Sequence, residues 1–257
     1  MTSPAARRAD RAVGLILSRQ RNGTLEECCT GLVAPSNSAA LKEPMFSLKK
    51  LFGKDDKFYD LLEAGADEAK ASVSLLEGYL EQLYKTGKPP ENLDEFMHSR
   101  RAEKRIRNLV LEELSRTFVT PLEREDIEAL SVALYRIPKS VEKMVERLSI
   151  YPGRVPHTAF QRQAELLKLA AEAVVDMVRQ LRSGTNLEKI RTATDRLHYA
   201  EGEADRVMFD LLKELYRGPY DAKELVILQE IYELAEQAVD CCRNAGNIVV
   251  QIVLKHS

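Results

Sequence analysis

From Lys57 to Lys255 apolar side chains recur at helical spacing, interrupted only at a few Gly and Pro positions, and no run alternates polar and apolar residues for long enough to build a sheet. This periodicity commits the chain to an all-α fold. Six helices are predicted. The first runs from about Lys57 to Lys85 and stops at Thr86-Gly87-Lys88-Pro89-Pro90; the second runs from about Glu91 to Thr117. The third is expected to open at Thr120-Pro121-Leu122-Glu123, where Thr120 caps, Pro121 takes the first helical position and Glu123 completes a capping box. It ends before Pro152-Gly153, with Pro138 inside it as an expected bend. The fourth spans about Thr158 to Arg182, the fifth about Leu187 to Arg217 and the sixth about Ala222 to Lys255.

Long helices joined by short turns pack antiparallel, which predicts an elongated bundle. Its halves resemble each other. An offset of 101 residues lays helices two and three on helices five and six without a gap, placing Leu111 on Leu212, Leu114 on Leu215, Leu130 on Ile231 and Leu134 on Ala235. Two pseudo-repeated three-helix bundles follow, one over about 55–152 and one over about 156–257.

Residues 1–44 read differently. They mix Ser, Thr, Asn, Gly and Pro with six basic and four acidic side chains, and little order is expected there. A fresh start at Met45-Phe46 makes Met45 a candidate initiator, with 1–44 as a non-native extension; the alternative is a disordered native tail, and intact mass separates the two. The folded part, 45–257, holds no apolar run near the roughly 20 residues a bilayer span requires, so no direct membrane insertion is expected. Over the whole chain 38 basic side chains nearly cancel 40 acidic ones, which leaves no general field to draw in nucleic acid. The adjacent pairs Cys28-Cys29 and Cys241-Cys242 match no zinc spacing and suit free thiols in a reducing cytoplasm.

The residues that stand out are carboxylates. Glu201 and Asp205 on helix five, and Glu236 and Asp240 on helix six, sit four apart and therefore on one face of each helix. They border the apolar stripes Ile190, Leu197, Ala204, Met208, Leu211, Leu215 and Leu228, Ile231, Ala235, Val239, Cys242, Val249. Like charges at that spacing repel unless a cation or a basic side chain lies between them. Four hard oxygens suit iron, manganese, magnesium or calcium better than copper or structural zinc, and the candidate cofactor is a divalent or trivalent ion, one of iron, manganese, zinc or magnesium; the alternative is four solvated surface carboxylates. Glu-x-x-His occurs once, at Glu95-Phe96-Met97-His98, and not on the two helices a ferritin-type di-iron site needs; no phosphate loop or nucleophile elbow is present, and His198 reads as a flanking histidine, so the residues give no positive case for an enzyme.

With the same offset the first half changes sign: Glu201 falls on Arg100, Asp205 on Lys104, Glu236 on Tyr135 and Asp240 on Lys139. Helix two carries Arg100, Arg101, Lys104, Arg105 and Arg107 against Glu103, a basic patch able to hold phosphate or another anion or to pair with acidic groups elsewhere.

The segment Phe118-Val119-Thr120-Pro121-Leu122-Glu123-Arg124-Glu125-Asp126-Ile127, with the start at Met45-Phe46 and the ending Asn247-Ile248-Val249 through Leu254-Lys255, resembles the PhoU-like family of phosphate transport regulators and Pit accessory proteins over residues 45–257. The resemblance implies six helices in two three-helix bundles, with Glu or Asp-x-x-x-Asp motifs that bind metal ions. Glu201, Asp205, Glu236 and Asp240 match those motifs, whereas Arg100, Lys104, Tyr135 and Lys139 depart from them. What it implies for function is non-catalytic regulation of inorganic phosphate uptake by a cytoplasmic accessory protein docked on a membrane phosphate transporter of the Pit type, with a homo-oligomer also open. Two alternatives stand beside it: a metal-dependent phosphohydrolase built on the same carboxylates, and a metal-free helical scaffold.

Overall fold

Six helices form in the computed structural model, which describes residues 55–90, 92–151, 157–183 and 187–256. They are α1 (Asp55–Thr86), α2 (Asp94–Arg116), α3 (Arg124–Ile150), α4 (His157–Arg182), α5 (Leu187–Arg217) and α6 (Ala222–Lys255). The expectations for residues 1–44, and for a start at Met45, fall outside the described residues. Gly87 ends α1 at φ +69°, a left-handed conformation that glycine adopts without a Cβ clash, and its N–H donates to the Leu83 carbonyl at 2.8 Å.

The third helix begins one turn later than its sequence suggests. Thr120 does not cap: its hydroxyl donates to the Leu122 carbonyl at 2.7 Å, and Glu123, at the cap position of α3, makes no side-chain bond to the helix N–H groups. The segment instead works as a clasp between three helix ends. Arg124 donates to the Thr117 carbonyl at 2.7 Å and to the Leu114 carbonyl, satisfying acceptors that the end of α2 leaves open. Lys255, at the end of α6, binds Glu123 at 2.6 Å and both Asp126 oxygens at 3.0 Å, while Leu122 and Ile127 anchor the segment in the core. A true capping box forms at α6, where Asp221 accepts from the Lys223 and Glu224 N–H groups and Glu224 accepts from that of Asp221. Pro138 lies buried inside an unbroken α3.

Helices α1, α2 and α3 pack on one another, as do α4, α5 and α6; the two bundles then meet through α1 against α4 and through α3 against α6. Exchanging α1 with α4, α2 with α5 and α3 with α6 leaves this pattern of neighbours unchanged. Ser140 and Cys241, 101 residues apart, touch at 3.6 Å across α3 and α6, as equivalent positions beside a pseudo-two-fold axis would. One apolar core runs through both bundles, from Phe58, Leu62 and Leu134 to Leu197, Ile231 and Val249. Gly246 admits the closest approach, since a Cβ there would lie 2.2 Å from the Leu197 side chain.

The α1–α4 seam is laced by complementary charge. Arg182 reaches Asp56, Asp60 and Glu63; Arg179 meets Asp67 at 2.8 Å, Lys70 meets Glu172 at 3.3 Å and Lys168 meets Glu77 at 3.0 Å. These pairs are largely solvated, so they set register more than they add stability. Stability comes from the apolar stripe beneath them.

Candidate functional site

The four predicted carboxylates meet in the groove between α5 and α6. These helices are antiparallel, as the pairing of Glu201 with Arg243 and of Tyr216 with Gln229 requires. The stripe residues Leu197, Ala204, Val239 and Cys242 are buried, which leaves Glu201, Glu236 and Asp240 half-buried at the rim and Asp205 exposed. His198 is exposed.

The residue that sequence reasoning missed is Arg243. Its guanidinium bridges the two helices, 3.4 Å from Glu201 Oε1 and 3.2 Å from Asp240 Oδ1. The basic side chain that the carboxylate repulsion called for is thus supplied by α6 itself. It does not balance the groove. Burial, followed by the charges of Asp240 and Asp205 and then that of Glu201, pushes the Glu236 carboxyl up to about 7, against the opposing pull of Arg243.

These carboxylates therefore feel one another's charge, yet no three His, Cys, Asp or Glu side chains among the described residues converge on one metal-sized point. The donor chemistry suits a hard cation. The spacing does not form a cage while Arg243 holds Glu201 and Asp240.

The basic patch divides differently from its expected single cluster. Arg100 pairs with Glu142 of α3, Arg107 lies over the Tyr135 ring at 5.6 Å, and Arg101, Lys104 and Arg105 are exposed. Glu103 does not share their surface. It is buried in the first bundle beside Glu68, which accepts from the Ser99 hydroxyl at 2.6 Å, and burial, then the Glu68 charge, holds the Glu103 carboxyl well above its ordinary value. Glu142 is likewise raised by burial and by Glu146, against Arg100 and Arg101.

The 101-residue offset now gains a physical content. It carries Glu201 onto Arg100 and Arg243 onto Glu142, so the two ion pairs Arg100–Glu142 and Glu201–Arg243 occupy equivalent places with opposite polarity. Extending the offset from the four carboxylates to Arg243 was the signal available in the sequence.

Six helices, with bundles exchanged about α3–α6 and α1–α4, decide the fold. The chain has the PhoU-like fold. It superposes on two Shewanella oneidensis MR-1 crystal structures, one described as a PhoU-like phosphate regulatory protein and one as a PhoU-like protein, each with a TM-score of 0.61, at 17% and 14% identity, covering 77% of this chain and 99% of theirs. In sequence the PhoU-like chain is 24% identical over 212 residues to a Rhizobium meliloti (strain 1021) protein with the provisional name pit accessory protein, covering 81% of this chain and 97% of that one. It is also 23% identical over 150 residues to the UPF0111 protein YkaA of Bacillus subtilis (strain 168), covering 58% of this chain and 73% of that one. No family model matches. Among the described residues no helix is long and apolar enough to cross a membrane.

Neither of the clearest hollows coincides with the acidic groove. The larger, about 560 Å³, lies in the first bundle between Leu93, Phe96, Met97, Glu142 and Glu146. The smaller, about 250 Å³, lies by the clasp, lined by Tyr59, Leu122, Leu181, Ile252 and His256 among others.

Proposed function

We propose that the protein regulates inorganic phosphate uptake without catalysis, as a cytoplasmic accessory protein bound to a membrane phosphate transporter of the Pit type. The observation that carries this reading is the similarity to the Rhizobium pit accessory protein along 97% of that protein's length. The site agrees with it in one respect: Arg243 is engaged with two of the carboxylates. Co-purification tests the proposal. A phosphate transporter should be retained with the tagged protein through a moderate-salt wash, and failure to associate at any phosphate level overturns it.

The metal reading belongs to the same proposal. Glu201, Asp205, Glu236 and Asp240 would hold a hard cation only if Arg243 withdrew, and the charges of Asp240, Asp205 and Glu201, which add to burial in raising Glu236, support a groove in which carboxylates crowd together. Elemental analysis of protein purified without chelator tests it: iron, manganese, zinc or magnesium at stoichiometric level should be lost in Glu201→Gln/Asp205→Asn. A carboxyl near 7 is also what a general acid or base requires, which is the one observation favouring a phosphohydrolase. Cation-dependent turnover of a phosphate ester that vanishes in Asp240→Asn would establish that alternative.

A further inference from the structure

The inversion of charge leaves the first bundle with positive side chains that nothing in the fold neutralises. Helices α2 and α3 are antiparallel, with Arg100 against Glu142 and Arg107 over the Tyr135 ring, so these four side chains line the floor of the groove between the two helices. Lys104 and Lys139 stand level with each other on its opposite rims, and beyond them lie Arg101 on α2 and Arg136 and Lys143 on α3. These five are exposed, and among the described residues no carboxylate lies within ion-pair distance of any of them or of Arg107. Arg107 Nε is buried and has no hydrogen-bond partner among the described residues. Glu142 is already engaged by Arg100, and Glu103 is buried beneath the groove, its carboxyl held well above the ordinary value by burial and then by Glu68, so neither offers the surface a countercharge.

Like charges gathered over about two turns of each helix repel one another, a cost that an anion seated among them removes. The donors favour one class of anion. Ammonium groups, guanidinium forks and the Tyr135 hydroxyl present N–H and O–H groups that match phosphoryl oxygens, the guanidinium two at a time. The patch runs from Arg100 to Arg107 on α2 and from Arg136 to Lys143 on α3, roughly 10 Å along each helix. One orthophosphate touches only part of that length, whereas a short chain of phosphoryl groups meets both rims at once. We infer that the α2–α3 groove is a binding site for an oligophosphate anion, gripped by Lys104 and Lys139 from opposite rims and met by Arg107 from the floor. The equivalent places in the α5–α6 groove are Asp205, Glu236 and Asp240, which present acceptors and repel such an anion, so the site belongs to the first bundle alone. An inorganic phosphate chain and a nucleoside triphosphate share this chemistry, and the test separates them. The inference does not rest on the transporter reading and needs no metal.

Titration calorimetry of the full chain tests it with tripolyphosphate, ATP and orthophosphate, in buffer freed of divalent cations so that no metal in the acidic groove bridges to a phosphate. Tripolyphosphate should bind one to one, at least about tenfold more tightly than orthophosphate at about 0.15 M salt, and more weakly as salt rises. ATP that binds as tightly makes a nucleoside triphosphate an equal source; ATP at least about tenfold weaker assigns the groove to an inorganic chain. Lys104→Gln/Lys139→Gln should cost at least about tenfold in affinity, and Lys104→Arg/Lys139→Arg should restore it. Lys85→Gln/Lys223→Gln, the same change in net charge at exposed lysines elsewhere, should leave it unchanged. Circular dichroism checks folding; if the double glutamine variant loses helicity, Lys104→Gln and Lys139→Gln singly replace it, and each should weaken binding. No heat with tripolyphosphate at millimolar concentration, orthophosphate bound as tightly, or an equal loss in the control pair would overturn the inference and leave the groove a solvated surface with diffuse counterions. A chain that binds tripolyphosphate but retains no transporter overturns the accessory role alone; one that retains a transporter but binds no tripolyphosphate overturns this inference alone.

Discussion

Glu236 gives the groove a measurable pH signature. The perturbation is Glu236→Gln, which keeps the side-chain shape and removes the ionisable proton. In the folded protein the carboxyl stands at about 7, against an ordinary value of 4.5. A shift of that size corresponds to about 3 kcal/mol of differential interaction between its two protonation states. The rim is partly solvated and Arg243 screens it, so the expected contribution is about 1–2 kcal/mol. Because the folded value lies above the unfolded one, the folded state holds the proton more tightly between them. The stabilisation is complete below the ordinary carboxyl value and is lost as pH rises through about 7. Urea unfolding of both proteins in chelator, at about pH 5 and about pH 8, isolates this group because the other carboxylates titrate alike in the two. The wild type should lose about 1–2 kcal/mol more than Glu236→Gln between these conditions. Equal pH dependence, or a larger loss in the variant, would refute the argument that burial, together with crowding by Asp240 and Asp205, outweighs Arg243.

Other consequences follow from the same physics. Glu103→Gln should match or exceed the wild type in stability at neutral pH and flatten its decline toward alkaline pH, since the raised Glu103 value makes the folded state lose stability as pH climbs toward it; unfolding midpoints against pH read this. Gly246→Ala should cost about 1–3 kcal/mol by driving a Cβ into Leu197, whereas Gly78→Ala, in an exposed helix interior with nothing within 4 Å, should gain about 0.5–1 kcal/mol; thermal melts compare them. Phe118→Ser should leave stability within about 0.5 kcal/mol of wild type, because the ring is 98% exposed, so any loss of transporter retention in that variant would report a contact and not a fold defect.

The helices were legible because their signal is local and redundant. The stripe on α6 from Leu228 to Val249 is buried throughout, and the two helix starts at α5 and α6 fall where Gly and Pro breaks place them. Thr120 misled because the local pattern for a capping box competes with a non-local partner set: Arg124 is drawn back to α2 and Glu123 out to Lys255, 132 residues away, so helix formation starts after both. The carboxylates were found because i to i+4 spacing fixes their common face. Arg243 was missed because its significance lies across the groove, on Glu201 of another helix. Glu103 looked like one acid among bases on a polar helix, but its carboxylate is buried against Gly65 and Glu68, where only the packing of α1 on α2 could place it.

That the same crossing holds Arg100–Glu142 in one bundle and Glu201–Arg243 in the other separates two roles that an ion pair can play. Coulomb attraction is indifferent to which helix carries which sign, so exchanging the partners preserves the tie between the outer helix and α3 or α6. What the exchange alters is the environment around the tie. In the first bundle the unpaired neighbours are Lys104 and Lys139; in the second they are Asp205 and the raised Glu236. The packing constraint is thereby met twice with opposite surface potentials, and a pseudo-symmetric scaffold acquires a polar face without a change in its core. A polar face distinguishes partners by orientation, which a symmetric one cannot do. Reversing both ties at once, with Arg100→Glu/Glu142→Arg and Glu201→Arg/Arg243→Glu, should therefore leave thermal stability within about 1 kcal/mol of wild type. Loss of the fold in that quadruple variant would show that the local environment, and not the pair alone, selects the polarity.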